Sequence, residues 1–151
     1  MRYLTALVAT LVLAACSTAP VTRNQPRDVS SPQGIASELQ KASLDSVVQF
    51  LLTSAAADFH MHRPPDPVGF RDVRIGHIVT ANGASMYMLC GQFLPREGDK
   101  AQWMPFATIK TSGYEQHLGS QATAFSQNSS VVWDKVDDLS STLLSRLDAL
   151  R

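Results

Sequence analysis

The chain has 151 residues, of which 44% are hydrophobic and 17% are charged, and this composition is typical of a folded domain rather than a disordered chain. Its 13 basic residues balance its 13 acidic residues, so no field of one sign is available to attract nucleic acid or an acidic polymer. We therefore expect one compact domain with no nucleic-acid partner.

The first fifteen residues have the pattern of an export signal. Arg2 supplies a positive start, and residues 4–13 form an apolar stretch that is too short to span a bilayer core, which needs about 20 residues. Small residues then lead to Cys16, where they suit the groove of a signal peptidase that closes on an extended backbone. The sequence Leu13-Ala14-Ala15-Cys16 resembles the lipobox of bacterial lipoproteins.

This resemblance implies that the signal is cut between Ala15 and Cys16, that the Cys16 thiol receives a diacylglyceryl group, and that the new amine is acylated. Each buried methylene contributes about 0.8 kcal/mol, so two or three chains hold a protein firmly on a membrane. Ser17 resembles the outer-membrane class of lipoproteins, so we expect the body to face the periplasm there. The alternatives are an ordinary cleaved signal or a core helix that ends in a cysteine.

A tether and a single α+β domain are expected after the anchor. Residues 16–34 contain three prolines with several serines and threonines and no hydrophobic periodicity, which predicts an extended tether. Residues 35–151 are expected to fold as one domain. Apolar residues recur at helical intervals over residues 35–58 and predict an amphipathic helix, which the three prolines within residues 60–67 would end.

After this helix we predict an antiparallel meander of three to four strands. Residues 70–80 and 85–93 alternate between polar and apolar side chains around an Asn-Gly turn, which predicts a hairpin. Residues 102–110 read as a third strand, and Pro105 argues for an edge position or a bulge. Residues 114–125 would add a short fourth strand.

The last segment carries a helical stripe over residues 131–150. The stripe consists of Val132, Val136, Leu139, Leu143, Leu147 and Leu150, and Asp134 and Arg146 lie at the ends that the helix dipole favours. A helix, a meander and a second helix make an α+β plan in which both helices pack on one face of the sheet.

The body also resembles a family of short uncharacterised proteobacterial lipoproteins and secreted proteins. The resemblance is carried by Asp66-Pro67, by Phe70-Arg71-Asp72-Val73 and by Cys90-Gly91 on a later strand. It covers about thirty residues and brings no known activity.

Soft-metal ligands are concentrated in two short stretches of the chain. They are His60, Met61, His62, Met86, Met88 and Cys90, whose imidazole, thioether and thiol groups suit copper. In a strand, positions 86, 88 and 90 share one face. The alternative is that these methionines and the cysteine are core residues and that the histidines are exposed at a helix end.

Two further interpretations involve Cys90 and an aromatic group. Cys90 could act as a nucleophile only with a base, for which the sequence offers His77 or His117. An edge strand bearing Trp103, Met104, Phe106 and Tyr114 could recruit a peptide by strand addition, or these residues could form the buried face of the sheet. No motif of a serine hydrolase, a zinc protease or a phosphate-binding loop occurs.

These observations favour a non-enzymatic adaptor or assembly factor that is tethered to the envelope and binds another envelope protein. A periplasmic copper-binding protein is the second hypothesis, and a small hydrolase with a scattered site is the third. No cofactor is expected besides the covalent lipid on Cys16.

Overall fold

The computed structural model describes residues 32–63, 65–96, 102–134 and 137–151. The signal, the lipobox and nearly all of the tether lie outside these ranges. The elements in chain order are α1 (Pro32–Met61), β1 (Pro67–Val79), β2 (Ser85–Pro95), β3 (Met104–Lys110), β4 (Tyr114–Leu118), α2 (Ser120–Ser126), β5 (Val132–Trp133) and α3 (Ser140–Asp148). The predicted α+β fold is confirmed. Among the helices described, none combines the length and apolarity that crossing a membrane requires.

The five strands form one antiparallel sheet in the order β4-β3-β2-β1-β5. The predicted hairpin joins β1 to β2, and its turn is closed by a hydrogen bond of 2.8 Å from the amide of Thr80 to the carbonyl of Ala84. Gly83 has a φ of 80°, a conformation that glycine adopts without a steric penalty. Ala81, Asn82 and Gly83 therefore form a three-residue hairpin loop that ends on a left-handed glycine.

The main core lies between the sheet and the two longer helices, α1 and α3. Phe59 of α1 sits at its centre, with its ring 5.1 to 5.5 Å from the rings of Phe70, Phe93 and Phe106. Leu143 of α3 belongs to the same cluster and is fully buried. Both helices thus cover one face of the sheet, as predicted, and we call it the helix-pair face. Full burial of one such side chain contributes about 1.5 to 3 kcal/mol.

The opposite side of the sheet, which we call the α2 face, is covered by the short helix α2. A second cluster lies there, and its buried members are Met88, Cys90, Ala107, Ile109 and Ala122. Because side chains alternate along β2, the even-numbered residues 86 to 90 point to this face while Leu89 points to the main core.

A bulge interrupts β1 opposite β2. Arg71 pairs with Gln92 and Arg74 pairs with Cys90, so β1 has one more residue than β2 between these two pairs. Asp72 has a φ of 55°, which costs a residue with a side chain about 1 to 2 kcal/mol. The extra residue places Arg71 and Arg74 on the same α2 face, while Val73 enters the main core.

The described residues between β5 and α3 line the outer edge of β1. The Asp134 amide donates to the carbonyl of Ile75 at 3.1 Å, and the Leu139 amide donates to that of Val73 at 2.9 Å. The Val73 amide in turn donates to the Asp138 carboxylate at 3.1 Å. Hydrogen bonds from the Ser140 side chain, and then from the amides of Ser140 and Val73, lower the pKa of Asp138. These hydrogen bonds occupy backbone groups at the outer edge of β1 and place α3 on the helix-pair face.

Asp66 connects the start of β1 to the end of the chain. Its carboxylate accepts hydrogen bonds from Arg96 at 2.6 Å and from Arg151 at 2.8 Å. The hydrogen bond from Arg96 is the largest influence that lowers the pKa of Asp66. The Asp-Pro pair quoted for the family resemblance therefore has a structural role in this fold.

Two strand predictions are corrected by the structure. β3 is an internal strand between β2 and β4, so Pro105 is not at a sheet edge. The Pro105 carbonyl accepts a hydrogen bond of 2.9 Å from the Gly119 amide, just after β4 has ended. The N–H that proline lacks therefore lies beyond the paired residues of β3 and β4, where no hydrogen bond between the strands is lost. The predicted strand over 114–125 ends at Leu118, and its remainder forms α2.

Two helix predictions are also corrected. The terminal helix begins at Ser140 rather than near residue 131, because Val132 and Trp133 pair with β1 as β5. Asp134 therefore follows a strand and is not in the first turn of a helix. α1 extends beyond the predicted 35–58 at both ends and begins inside the range predicted as tether.

Replacing Gly91 by alanine should destabilise the fold. An added Cβ would lie 2.8 Å from Val73 Cγ2, 3.1 Å from Val73 Cα and 3.0 Å from Phe106 Cε1. Such overpacking lowers the free energy of unfolding by about 1 to 3 kcal/mol. Gly113→Ala is the matched control, because its Cβ would meet no atom within 4 Å. Urea denaturation of both variants checks this, and an equal loss in the two would contradict the bulge packing.

Candidate functional site

The predicted lipidation residue, Cys16, and the residue before the predicted cleavage, Ala15, lie outside the described residues. The lipid anchor therefore stays a prediction from the sequence.

The six predicted copper ligands are not brought together. Met86, Met88 and Cys90 share the α2 face as expected, but Met88 and Cys90 are buried in its cluster. His60, Met61 and His62 lie at the end of α1, which packs on the opposite face. Within the described ranges, no group of three or more His, Cys, Asp and Glu side chains could hold a metal ion. The structure therefore places the two groups of predicted ligands on opposite sides of the sheet and does not bring all six together.

Cys90 is not placed beside a base. The thiol is 3% exposed, and desolvation raises its pKa to about 12. His77 belongs to the helix-pair face, whereas Cys90 belongs to the α2 face. Ala107 on β3 pairs with Cys90 on one side and with His117 on the other, so strand β3 lies between the thiol and His117. Neither histidine can deprotonate this thiol in the described geometry.

The four residues of the predicted aromatic patch are dispersed. Phe106 is fully buried in the main core, and the Tyr114 hydroxyl donates to Asp58 of α1 at 3.3 Å. Trp103 is half-buried against the guanidinium of Arg71, and Met104, at the start of β3, is 38% exposed. Since β3 is paired on both sides, strand addition to it is excluded, and the buried-face alternative holds for Phe106.

A histidine–carboxylate pair that the sequence did not predict lies at the far end of β1. His77 Nδ1 is 3.1 Å from Asp134 Oδ2, and the two side chains are only 19% and 16% exposed. Tyr87 of β2 pairs with His77 across the strands, and the two rings are 5.4 Å apart. Pairing of β5 with Gly76 and His77 fixes the position of Asp134.

This pair belongs to an open groove of about 340 Å³ between the first turns of α1 and the sheet. We call it the arm groove, and its lining consists of Ser37, Gln40, Lys41, Leu44, His77, Ser85, Tyr87 and Asp134. Residues 36–43 of α1, which we call the arm, are exposed and are not part of the main core. Val79 and Val132 flank His77 and are more than half exposed.

The arm groove offers hydrogen-bonding groups together with opposite charges. The Asp134 carboxylate can only accept, so His77 Nδ1 is the donor in the hydrogen bond between them. Lys41 supplies a positive charge from the α1 wall. The sequence does not predict this site, because the apolar spacing around Asp134 favours a helix and 57 residues separate Asp134 from His77.

No protein-family model, curated protein or solved structure matches this chain.

The Cys90 thiol should be nearly inert in the native protein. With a pKa of about 12 instead of 9, about a thousandfold less thiolate is present at pH 8. We expect a thiol reagent to label Cys90 at least about a hundredfold faster in urea than in buffer.

Cys90→Ser is the control for this experiment. The variant should show no labelling in the processed protein, because lipid would occupy Cys16, the other cysteine. Rapid labelling of the native chain would restore Cys90 as a candidate nucleophile.

Proposed function

We propose that this protein is a lipid-anchored, non-enzymatic adaptor of the cell envelope whose arm groove binds another envelope protein. The observation that carries the proposal is the sequence Leu13-Ala14-Ala15-Cys16 behind a short apolar stretch and a positive start. We place the anchor in the outer membrane, on the strength of Ser17, with the body in the periplasm.

The length of chain between the anchor and the body suits a stand-off from the bilayer. Fifteen residues separate Cys16 from Pro32, and they can span at most about 55 Å when fully extended. α1 adds 30 residues, or about 45 Å of helix, and only its later turns are buried in the body. A partner could therefore approach the arm groove without contacting lipid.

The surface chemistry of the arm groove suits a polypeptide partner. The exposed valines, Val79 and Val132, lie beside the half-buried Tyr87, and such a mixture of apolar, aromatic and polar groups is usual in protein interfaces. Lys41 and Asp134 present opposite charges on the two walls, which would fix the register and orientation of a bound segment.

The geometry gives little support to the hydrolase hypothesis. Within the described part of the chain, His77 forms a side-chain hydrogen bond only with Asp134, and no serine or cysteine donates to its ring. The Cys90 thiol is buried on the other side of the sheet. A nucleophile with an adjacent base, which covalent hydrolysis needs, is thus not assembled among these residues.

Cys16→Ala should leave the protein without lipid. We expect the variant to keep its signal uncut by the lipoprotein peptidase and to partition into the soluble fraction. Cys90→Ser is the matched control and should remain acylated and membrane-bound. Fractionation and mass spectrometry of the processed chain check both variants, and an unacylated position 16 in the wild type would overturn the proposal.

A photo-crosslinking residue at Val132 should form one discrete adduct with an envelope protein in intact cells. The same residue at Gln121, which is exposed on α2, is the control and should not form that adduct. Lys41→Glu, on the other wall of the arm groove, should lower the yield at Val132 several-fold. The groove is not the partner site if Gln121 gives the same adduct or if Lys41→Glu leaves the yield unchanged.

A further inference from the structure

Two arginine–tryptophan stacks lie next to each other on the α2 face of β1. The Arg71 guanidinium carbon is 4.5 Å from the ring centroid of Trp103, and that of Arg74 is 4.5 Å from the ring centroid of Trp133. In a regular strand, residues 71 and 74 would point to opposite faces. The bulge at Asp72 is what places both guanidiniums on the same side.

Both guanidiniums are held in place before any ligand arrives. Arg71 donates from Nε and Nη2 to Gln92 Oε1, at 3.0 and 2.7 Å, which fixes its plane. Stacking on an indole leaves the N–H groups at the edge of a guanidinium free to bind in its plane. In ranges 32–63, 65–96, 102–134 and 137–151, the Arg74 guanidinium takes part in no hydrogen bond and no salt bridge.

A small pocket of about 100 Å³ opens beside Arg74, and Asp72, Gln92, Ser126 and Trp133 are among its lining residues. Arg71 lies on the same face of the sheet but does not line the pocket. Its size suits one compact group rather than a polymer. The nearby carboxylates are partly engaged, since Asp72 lies 3.8 Å from Arg71 and Asp138 accepts from Val73 and Ser140. The hydrogen bonds from Ser140 and Val73, and then the charge of Arg74, lower the pKa of Asp138. Arg74 nevertheless forms no hydrogen bond or salt bridge with either carboxylate among the described residues, so its N–H groups remain open to a ligand.

We propose that Arg74, supported by the neighbouring charge of Arg71, binds a compact oxyanion in this pocket, namely a carboxylate or phosphate group on a small molecule. A planar guanidinium binds either group through two parallel N–H···O bonds. Ser126 and Gln92 add polar groups at the pocket wall. This inference goes beyond the adaptor role and does not depend on the lipid anchor or on the arm groove.

The tryptophans make the site directly observable. Trp103 and Trp133 are the only two tryptophans in the chain, so selective excitation of tryptophan fluorescence reports on these two stacks alone. The full chain in detergent would be titrated with inorganic phosphate and, separately, with acetate, while chloride keeps the ionic strength constant. We expect a saturable change in emission with a Kd of about 1 mM or lower for at least one probe, and calorimetry should give the same Kd.

Variants of the arginines decide whether the pair is responsible. Arg74→Gln should raise the Kd at least about tenfold. Arg74→Lys keeps the charge but loses the two parallel N–H donors of the guanidinium, so it should raise the Kd less. Arg63→Gln, at an exposed position after α1, is the matched control and should leave the Kd unchanged. Urea denaturation checks that each variant is folded, and Arg71→Gln replaces Arg74→Gln if the latter is not.

Three results would overturn the site. They are the absence of saturation with both probes, an equal response to chloride, and an equal effect of Arg63→Gln and Arg74→Gln. Binding of only one probe would support the site and would identify whether it prefers phosphate or carboxylate.

Discussion

One extra residue in β1 determines which face each later side chain of that strand occupies. Without the bulge at Asp72, every residue after it would move to the other face of the sheet. Val73 would then leave the space that Gly91 keeps open, and His77 would lose its position beside Tyr87. The bulge is stabilised by the backbone bonds that Val73 forms with the segment before α3, each worth about 1 kcal/mol.

The short strand β5 connects the two candidate sites. Its second residue, Trp133, lies on the α2 face beneath Arg74, and the next residue, Asp134, reaches His77 on the helix-pair face. This division follows from the alternation of side chains along an extended chain. Gly76 permits the arrangement, since a Cβ there would lie 2.9 Å from the Trp133 ring. A displacement of β5 would therefore disturb the arm groove and the arginine pair together.

The features that the sequence predicted correctly have local signals. The turn at Gly83 and the apolar periodicity of α1 involve neighbouring residues, and both were found. The features that it missed depend on distant partners. The stripe from Val132 onward fits a helix, but Val132 pairs with His77, and Asp138 binds the Val73 amide 65 residues away. Tertiary hydrogen bonds outweigh helical spacing there, and neither candidate site could be assembled from the sequence without them.

The proposed anchor and the arm groove constrain each other through α1. Ser37 and Lys41 line the groove from the exposed arm of this helix, whereas Leu51 and Phe59, further along it, are fixed in the main core. A rigid helix thus sets the position of one groove wall. From Cys16 to that wall, the chain can reach about 70 Å at most, because only fifteen residues lie between Cys16 and the helix. With the proposed lipid on Cys16, a partner bound in the groove would therefore lie within this distance of the membrane.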